Sequence, residues 1–308
     1  MKFQRIAAYA AIYVVWGGSY LAVRVLVQAM PPLLAAGIRY SLAALLLLPL
    51  VWWKSSPFPH WKQTVHALWT GALMLGVGYG VVFWAEKRLA SWIAAVLIST
   101  TLLWTYLGES LVLRSTRFRL QMLLPLLLGM AGIPMLMGMD FTSKRISLPA
   151  VLCVLLGAVA WTCGSLAAKR LRMPDSPLQT ALLQLTAGGG ILLVAGLLRE
   201  KFPQVVSLGW RPLVALAYLV LAGSVLGMAV YHWLLEHEPA SQVATFSYVN
   251  PVVAMFLGLL LAGEHSSLWQ MAGAVTVLAS LVLLWAMQMR NSSGPAQPAD
   301  CTSGCPEL

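Results

Sequence analysis

The chain has 308 residues, of which 59% are hydrophobic and only 10% are charged, and its formal net charge is +10. Soluble globular proteins carry about 25% charged residues, so this composition excludes an ordinary soluble domain. In a soluble domain the basic excess would suggest nucleic-acid binding. Here the Lys and Arg residues lie in short loops between apolar runs, where membrane topology and anionic lipid headgroups explain them. We therefore expect a lipid bilayer, and no nucleic acid, as a partner.

Apolar runs between charged or proline-rich breaks predict ten transmembrane helices. Each run is long enough to cross a hydrocarbon core of about 30 Å, and helices are the only open-ended elements that satisfy their own backbone polar groups in lipid. The predicted spans in chain order are Ile6–Leu26, Leu33–Trp53, Ala67–Trp84, Ser91–Leu113, Leu120–Met139, Leu148–Ala168, Gln179–Leu198, Leu213–Leu235, Ser241–Ala262 and Leu268–Met289.

Lys and Arg residues predict the orientation of these spans. They are more frequent in the loops on the side of the N-terminus, and ten spans place both termini on one side, so we expect cytoplasmic termini. The tail, residues 291–308, is rich in Ser, Gly, Pro and Ala without periodicity, and we expect it to be disordered. Cys301 and Cys305 in that tail have no further Cys or His partners, so no metal is expected.

The sequence repeats itself. Sliding it along its own length aligns Trp16 with Trp161, and farther on it aligns Gly78 with Gly227. The repeats predict two halves, residues 1–145 and 146–290, of five helices each. Because five is odd, the second half enters the membrane from the opposite face. The expected fold is therefore an all-α membrane protein of ten transmembrane helices in two inverted repeats, which is typical of secondary transporters with a site between the halves.

Several short motifs carry a resemblance to a known family. They are Trp16-Gly-Gly-Ser-Tyr, Pro31-Pro32 with Arg39, and Ser247-Tyr-Val-Asn-Pro-Val-Val-Ala254 followed by Gly263-Glu264. Together they resemble the EamA family of the drug/metabolite transporter superfamily, close to its YedA-like members. The resemblance implies a bacterial inner-membrane carrier with a central cavity, which moves amino acids, other small metabolites or drugs, often outward.

The first half departs from this family pattern. Leu102 stands opposite Pro251, and Arg114-Ser115 stand opposite Gly263-Glu264. We therefore expect the fourth helix to be less bent than the ninth.

Aromatic and hydroxyl side chains at helical spacing are candidates for lining a substrate cavity, because such faces suit an amphipathic solute. The alternative is that these rings only pack between helices. The cavity candidates are Tyr13, Trp16, Ser19, Tyr20, Tyr79, Phe83, Trp161, Ser165, Thr245, Tyr248 and Asn250.

Ionisable residues inside the predicted spans form a second set of candidates, because charge in a bilayer is costly and needs compensation. Arg39 is either a structural clamp or a contact for a substrate anion. Glu86 could exchange a proton, or it could simply begin a solvated loop. His232 could relay protons, or it could be a hydrogen-bonded packing residue. We expect Glu109 to pair with nearby arginines.

Four residues have backbone or structural interpretations. Pro251 should break or kink the ninth helix because it removes an N–H group from the helical ladder. Gly223 and Gly227 allow helices to approach closely. Glu264 resembles the helix-end glutamate of the family and is interpreted as structural.

These features favour a secondary transporter that works by alternating access, an exporter by resemblance, with proton coupling left open. A passive channel is the alternative. A membrane enzyme is disfavoured, because the sequence contains no H-E-x-x-H, Walker A, paired-aspartate or G-x-S-x-G motif. We expect a small-molecule substrate and no cofactor, and a monomer is compatible with the sequence.

Overall fold

A computed structural model describes residues 2–53, 57–86, 91–136, 138, 148–200, 209–261 and 267–292. All regular structure within these ranges is helical. We group it into ten segments, α1 to α10, which cross the molecule one after another. The segments are α1 (Lys2–Ala29), α2 (Pro32–Trp53), α3 (61–86), α4 (91–112), α5 (Leu120–Leu136), α6 (Leu148–Arg170), α7 (Pro177–Arg199), α8 (Trp210–His237), α9 (240–261) and α10 (Leu268–Ser292).

The described segments agree with the predicted spans. Seven of the described helices are long and apolar enough to cross a membrane, and two shorter apolar helices, Val96–Val112 and Leu120–Leu136, lie in α4 and α5. Large apolar side chains such as Leu45 and Leu128 point outward. This placement is expected when lipid, rather than water, surrounds the helices.

The packing of the segments follows the inverted repeat. The main contact of α2 is with α7, and that of α5 is with α10, so equivalent helices of the two halves pair with each other. The α1–α9 contact likewise corresponds to the α4–α6 contact. Even-numbered helices end on the membrane face where α1 begins, which we call the N-terminal face, and odd-numbered helices end on the opposite face.

Helices α2 and α7 pack backbone to backbone. A Cβ atom added at Gly37 would lie 2.5 Å from the backbone nitrogen of Leu193, and one added at Gly189 would lie 2.8 Å from the backbone nitrogen of Ser41. Such close approach is possible only for small residues. The α2–α7 pair is therefore a closely packed contact between the two halves.

The third helix of each half contains a π-helical segment that the sequence analysis did not predict. These segments are Ala72–Tyr79 in α3 and Leu219–Leu226 in α8. Each widened turn changes the direction in which the following side chains point, and π-helical turns are often found at functional sites. The Ser224 hydroxyl donates to the carbonyl of Leu219, five residues earlier, at 2.9 Å.

The ninth segment is interrupted, but not at the predicted position. A short helix, Ala240–Val243, is separated by a turn at Ala244 and Thr245 from the helix Phe246–Leu261. Pro251 lies inside this second helix, so the chain does not break at the proline, and a kink there stays a prediction. The turn is stabilised locally, since the Thr245 hydroxyl donates to the carbonyl of Gln242 at 2.5 Å and the Ser247 hydroxyl donates to that of Ala244 at 2.9 Å.

Candidate functional site

Four aromatic rings meet where the two halves join, and we call them the aromatic cluster: Trp16, Trp161, Tyr231 and Phe246. The repeat-related pair, Trp16 and Trp161, has ring centroids 5.9 Å apart in an edge-to-face arrangement. Phe246 lies 4.7 Å from Trp16, and Tyr231 lies 5.4 Å from Trp16 and 5.6 Å from Trp161. Helices α1, α6, α8 and α9 thus each contribute one ring to the junction.

Two tyrosines extend the cluster into the first half. The Tyr79 ring lies 5.5 Å from Trp161, and the Tyr40 ring lies 6.1 Å from Tyr79. Tyr79 ends the π-helical segment of α3. Among the predicted cavity candidates, Trp16, Trp161 and Tyr79 are therefore brought together, whereas sequence reasoning missed Tyr231, Phe246 and Tyr40.

Hydrogen bonds fix the orientation of the cluster. Trp16 donates from Nε1 to the carbonyl oxygen of Gly223 at 3.0 Å, and its indole covers Gly227, where any side chain would overlap the ring. The hydroxyls of Tyr231 and Ser165 lie 2.5 Å apart. Both glycines therefore act as contact surfaces for α1, as their small size predicts.

The aromatic cluster is closed on all sides in this structure. Its four rings belong to residues that are at most 7% exposed. A groove of about 500 Å³ lies elsewhere, along the outer side of α7, and is lined by residues such as Ile191, Val194 and Leu198. We regard that groove as lipid-facing, because its lining is almost wholly apolar and comes from one helix.

The remaining candidates on α1 and α9 have different surroundings. Tyr13 and Thr245 share a hydrogen bond of 2.6 Å between α1 and α9. Tyr248 instead donates to the carbonyl of Leu126 in α5 and lies in a separate apolar cluster. Tyr248 is therefore not brought to the aromatic cluster, and its place in a substrate cavity stays a prediction. Ser19 donates to the carbonyl of Val15 in its own helix.

Asn250 has an unusual environment. It is only 4% exposed, and its side-chain oxygen Oδ1 is buried without a hydrogen-bond partner among the described residues. It lies one helical turn beyond Phe246 on the same face of α9. Its backbone oxygen lies close to Gly17, the residue that follows Trp16. Asn250 thus has an acceptor, unpartnered among the described residues, on the face of α9 that also carries Phe246.

Arg39 is buried between α2 and α8. Its Nε donates to the Ser224 hydroxyl at 2.9 Å, and its guanidinium lies 5.0 Å from the centre of the Tyr40 ring. Ser224 belongs to the π-helical segment of α8. These contacts are those of a clamp between helices, and the choice between clamp and anion contact stays a prediction.

His232 belongs to a buried chain of polar groups that joins three helices. Its Nε2 lies 2.7 Å from Oε1 of Gln184 on α7, and Nε2 of Gln184 donates to the Thr70 hydroxyl on α3 at 2.9 Å. Gln184 and Thr70 are both fully buried. Sequence reasoning did not include either residue, although a Gln inside an apolar span was a visible signal.

Charged groups close the N-terminal face. The Glu109 carboxylate, at the end of α4, accepts hydrogen bonds from the backbone N–H groups of Ala240 and Ser241 at 2.8 and 3.0 Å. It also accepts one from the Ser241 hydroxyl at 2.6 Å, and it lies 4.0 Å from the ammonium of Lys169. Glu109 thus fixes the start of α9 and pairs with Lys169, and its expected pairing with nearby arginines stays a prediction.

This contact continues into α1 and α8. Lys169 also donates to the backbone carbonyl of Glu238, whose carboxylate lies 3.0 Å from the Arg5 guanidinium. The groups connect α1, α4, α6, α8 and α9 on one side of the aromatic cluster. On the opposite face, Glu200 at the end of α7 accepts from the backbone N–H groups of Leu33 and Leu34 at the start of α2.

Four predicted residues cannot be placed. The side chains of Tyr20, Phe83 and Glu86, and the whole of Glu264, lie outside the described residues. Within the part that is described, no group of three or more His, Cys, Asp or Glu residues could hold a metal ion.

Comparison with known families identifies the protein class. A family model described as the EamA-like transporter family matches residues 5–138 and 148–286, which is most of both halves. The chain belongs to the EamA-like transporter family. It is therefore a membrane transporter, and the resemblance found in its sequence motifs is confirmed.

Curated relatives carry transporter names. The chain is 32% identical over 292 residues to the uncharacterized inner membrane transporter YedA of Escherichia coli K12, which covers 92% of this chain and 93% of the relative. It is 25% identical over 283 residues to a probable amino-acid metabolite efflux pump of Salmonella typhimurium, covering 88% and 91% of the two chains. Protein PecM of Dickeya dadantii is 26% identical, with 98% and 99% covered.

A solved crystal structure has the same fold. Its TM-score is 0.76, and the match covers 94% of this chain and 99% of the other at 17% sequence identity. With the family match in both halves, this similarity confirms the predicted ten-helix fold of two inverted repeats.

Proposed function

We propose that this EamA-like transporter moves small amphipathic metabolites, such as amino acids, by alternating access, with the aromatic cluster at its binding site. The contact between Trp16 and Trp161 carries this proposal. These residues occupy equivalent positions in the two halves and meet where the halves join. In inverted-repeat transporters the binding site lies at such a junction, and rocking of one half against the other exposes it to each side in turn.

The closed packing of the cluster is consistent with an occluded state of the cycle. The contacts of Glu109 and Lys169 join helices at the N-terminal face, and the contact of Glu200 with α2 joins helices at the opposite face. Opening toward the N-terminal face would require the first set to separate. Aromatic faces suit apolar groups and cations of a solute.

Outward transport and cytoplasmic termini are further parts of the proposal. The name of the Salmonella relative supports efflux, and the name of the Escherichia coli relative supports the inner membrane. The excess of Lys and Arg in the loops of the N-terminal side supports cytoplasmic termini.

Reconstituted proteoliposomes test the proposal. We expect saturable uptake of at least one amino acid from a broad panel, with accelerated exchange when unlabelled substrate is present on the other side. Trp16→Ala and Trp161→Ala should reduce the rate by at least about ten-fold, whereas Trp52→Ala, which removes an exposed ring at the end of α2, should not. Flux without exchange or saturation would identify a channel. A folded protein without any substrate-dependent flux would contradict the proposal.

A further inference from the structure

Asn250 is a side chain of the buried interior whose hydrogen bonding the packing leaves incomplete. Its Oδ1 is buried without a hydrogen-bond partner among the described residues. An amide oxygen buried in this way destabilises the fold, because it has lost its hydrogen bonds to water and gained no partner in return. The neighbouring polar side chains of α9 do not share this condition, since Thr245 and Ser247 both donate to backbone carbonyls.

Asn250 lies close to the aromatic cluster along α9. Phe246, one turn earlier on the same face, contacts Trp16 and Trp161. Gly17, which follows Trp16, lies against the backbone of Asn250 and the side chain of Val253. Asn250 therefore lies at the α1–α9 contact, one helical turn from the Phe246 ring of the cluster.

We propose that Asn250 determines substrate specificity by accepting a hydrogen bond from an N–H group of the transported solute. The rings bind the apolar body, and Oδ1 selects an amino or ammonium group over a group of the same charge without a donor. This inference rests on the proposed function, because it assigns the polar contact of the same binding site. It also explains why a costly unpartnered acceptor is kept in the protein interior.

A pair of probes with the same charge separates the hydrogen bond from the attraction of the rings for cations. Phenethylamine carries an ammonium group with N–H donors, and its N,N,N-trimethyl derivative carries the same charge without any donor. Binding is measured by thermal shift of the purified full-length protein. We expect the wild type to bind phenethylamine on the order of ten-fold more tightly than the trimethyl derivative, as for one hydrogen bond to a charged group.

Two substitutions complete the test. Asn250→Leu should bring the affinity ratio close to one and should raise the melting temperature of the unliganded protein, because it removes an unpartnered polar group. Tyr9→Phe is the matched control, since the Tyr9 hydroxyl is also buried without a partner among the described residues. It should not lower the melting temperature, and it should keep the preference for the amine.

The outcomes distinguish the inference from its alternatives. A structural role for Asn250 predicts that Asn250→Leu lowers the melting temperature, and that result would overturn the inference. Equal affinities in the wild type, no binding of either probe, or an unchanged preference in Asn250→Leu would also overturn it. Selective binding without flux in proteoliposomes would instead contradict alternating-access transport and leave the role of Asn250 intact.

Discussion

Some aromatic side chains of this transporter face the aromatic cluster and others face elsewhere, and the sequence alone does not tell the two groups apart. Trp16 and Trp161 belong to the aromatic cluster, and Tyr79 contacts Trp161 at its edge. Tyr248 carries a similar ring at a similar spacing, yet it faces α5. The prediction for Tyr248 assumed one unbroken helix from Ser241 onward, and the turn at Ala244 and Thr245 rotates every later side chain about the helix axis.

The polar chain of His232, Gln184 and Thr70 gives a prediction at the residue scale. His232→Leu leaves Oε1 of Gln184 buried without its partner, and this should destabilise the protein by about 1–3 kcal/mol. The double variant His232→Leu/Gln184→Leu should be more stable than the single variant, because both polar partners are then replaced by apolar groups.

Thermal or chemical unfolding of the two variants in detergent measures this difference. The loss of the Gln184 amide should leave Thr70 satisfied, since the Thr70 hydroxyl also donates to backbone carbonyls of its own helix. Thr70 should therefore not reduce the stability that the double variant regains. If the double variant were less stable than His232→Leu, the hydrogen bond would not be the main contribution of the pair.

At the scale of elements, the ends of helices are stabilised by carboxylates from other helices. Glu109 on α4 accepts from the first N–H groups of α9, and Glu200, which follows α7, accepts from those of α2. These contacts pair helices that are distant in the sequence. Neither could be derived from helix propensity or capping motifs, because the accepting groups are not local.

Glu109→Gln should loosen the start of α9. The amide keeps one acceptor oxygen but loses the charge that faces Lys169, so backbone N–H groups of Ala240 and Ser241 should open more often. We expect hydrogen exchange in a peptide covering residues 240–245 to accelerate by about ten-fold or more, which corresponds to a loss of about 1.4 kcal/mol in local protection.

Glu200→Gln is the matched control for this measurement, because it weakens the same kind of contact at the opposite face. It should accelerate exchange at Leu33 and Leu34 and leave residues 240–245 unchanged. Equal exchange of the 240–245 peptide in Glu109→Gln and in the wild type would show that the carboxylate does not stabilise the start of α9.

The whole molecule is a repeat whose halves are no longer equal. Gly78 and Gly227 occupy equivalent positions in α3 and α8, and each faces the helix that carries the repeat-related Trp. An added Cβ atom at Gly78 would lie 3.3 Å from a backbone oxygen and 3.6 Å from the backbone nitrogen of Trp161. At Gly227 it would overlap the ring of Trp16. The second half therefore tolerates less change at this position.

The difference in space at Gly78 and Gly227 predicts different losses of stability for the same Gly→Ala substitution. Gly227→Ala should cost about 1–3 kcal/mol of stability through overpacking and should reduce transport, because Trp16 must move. Gly78→Ala should cost clearly less. Gly190→Ala is the neutral control, since an added Cβ there meets no atom within 4 Å. Melting temperatures of the three variants test the order, and equal losses for Gly78→Ala and Gly227→Ala would contradict the asymmetry.

The sequence by itself determined the ten-helix fold, the inverted repeat and the pair Trp16–Trp161. It could do so because a bilayer requires apolar runs of a fixed length, and because equivalent residues of a duplicated chain stay at a nearly constant offset in the sequence. Only the tertiary structure decided that Tyr231 and Phe246 complete the cluster, that α9 turns before Pro251, and that Oδ1 of Asn250 has no hydrogen-bond partner within the described part of the chain. These features depend on how each helix is rotated about its axis, and one π-helical turn or one interrupted turn changes that rotation for every side chain beyond it.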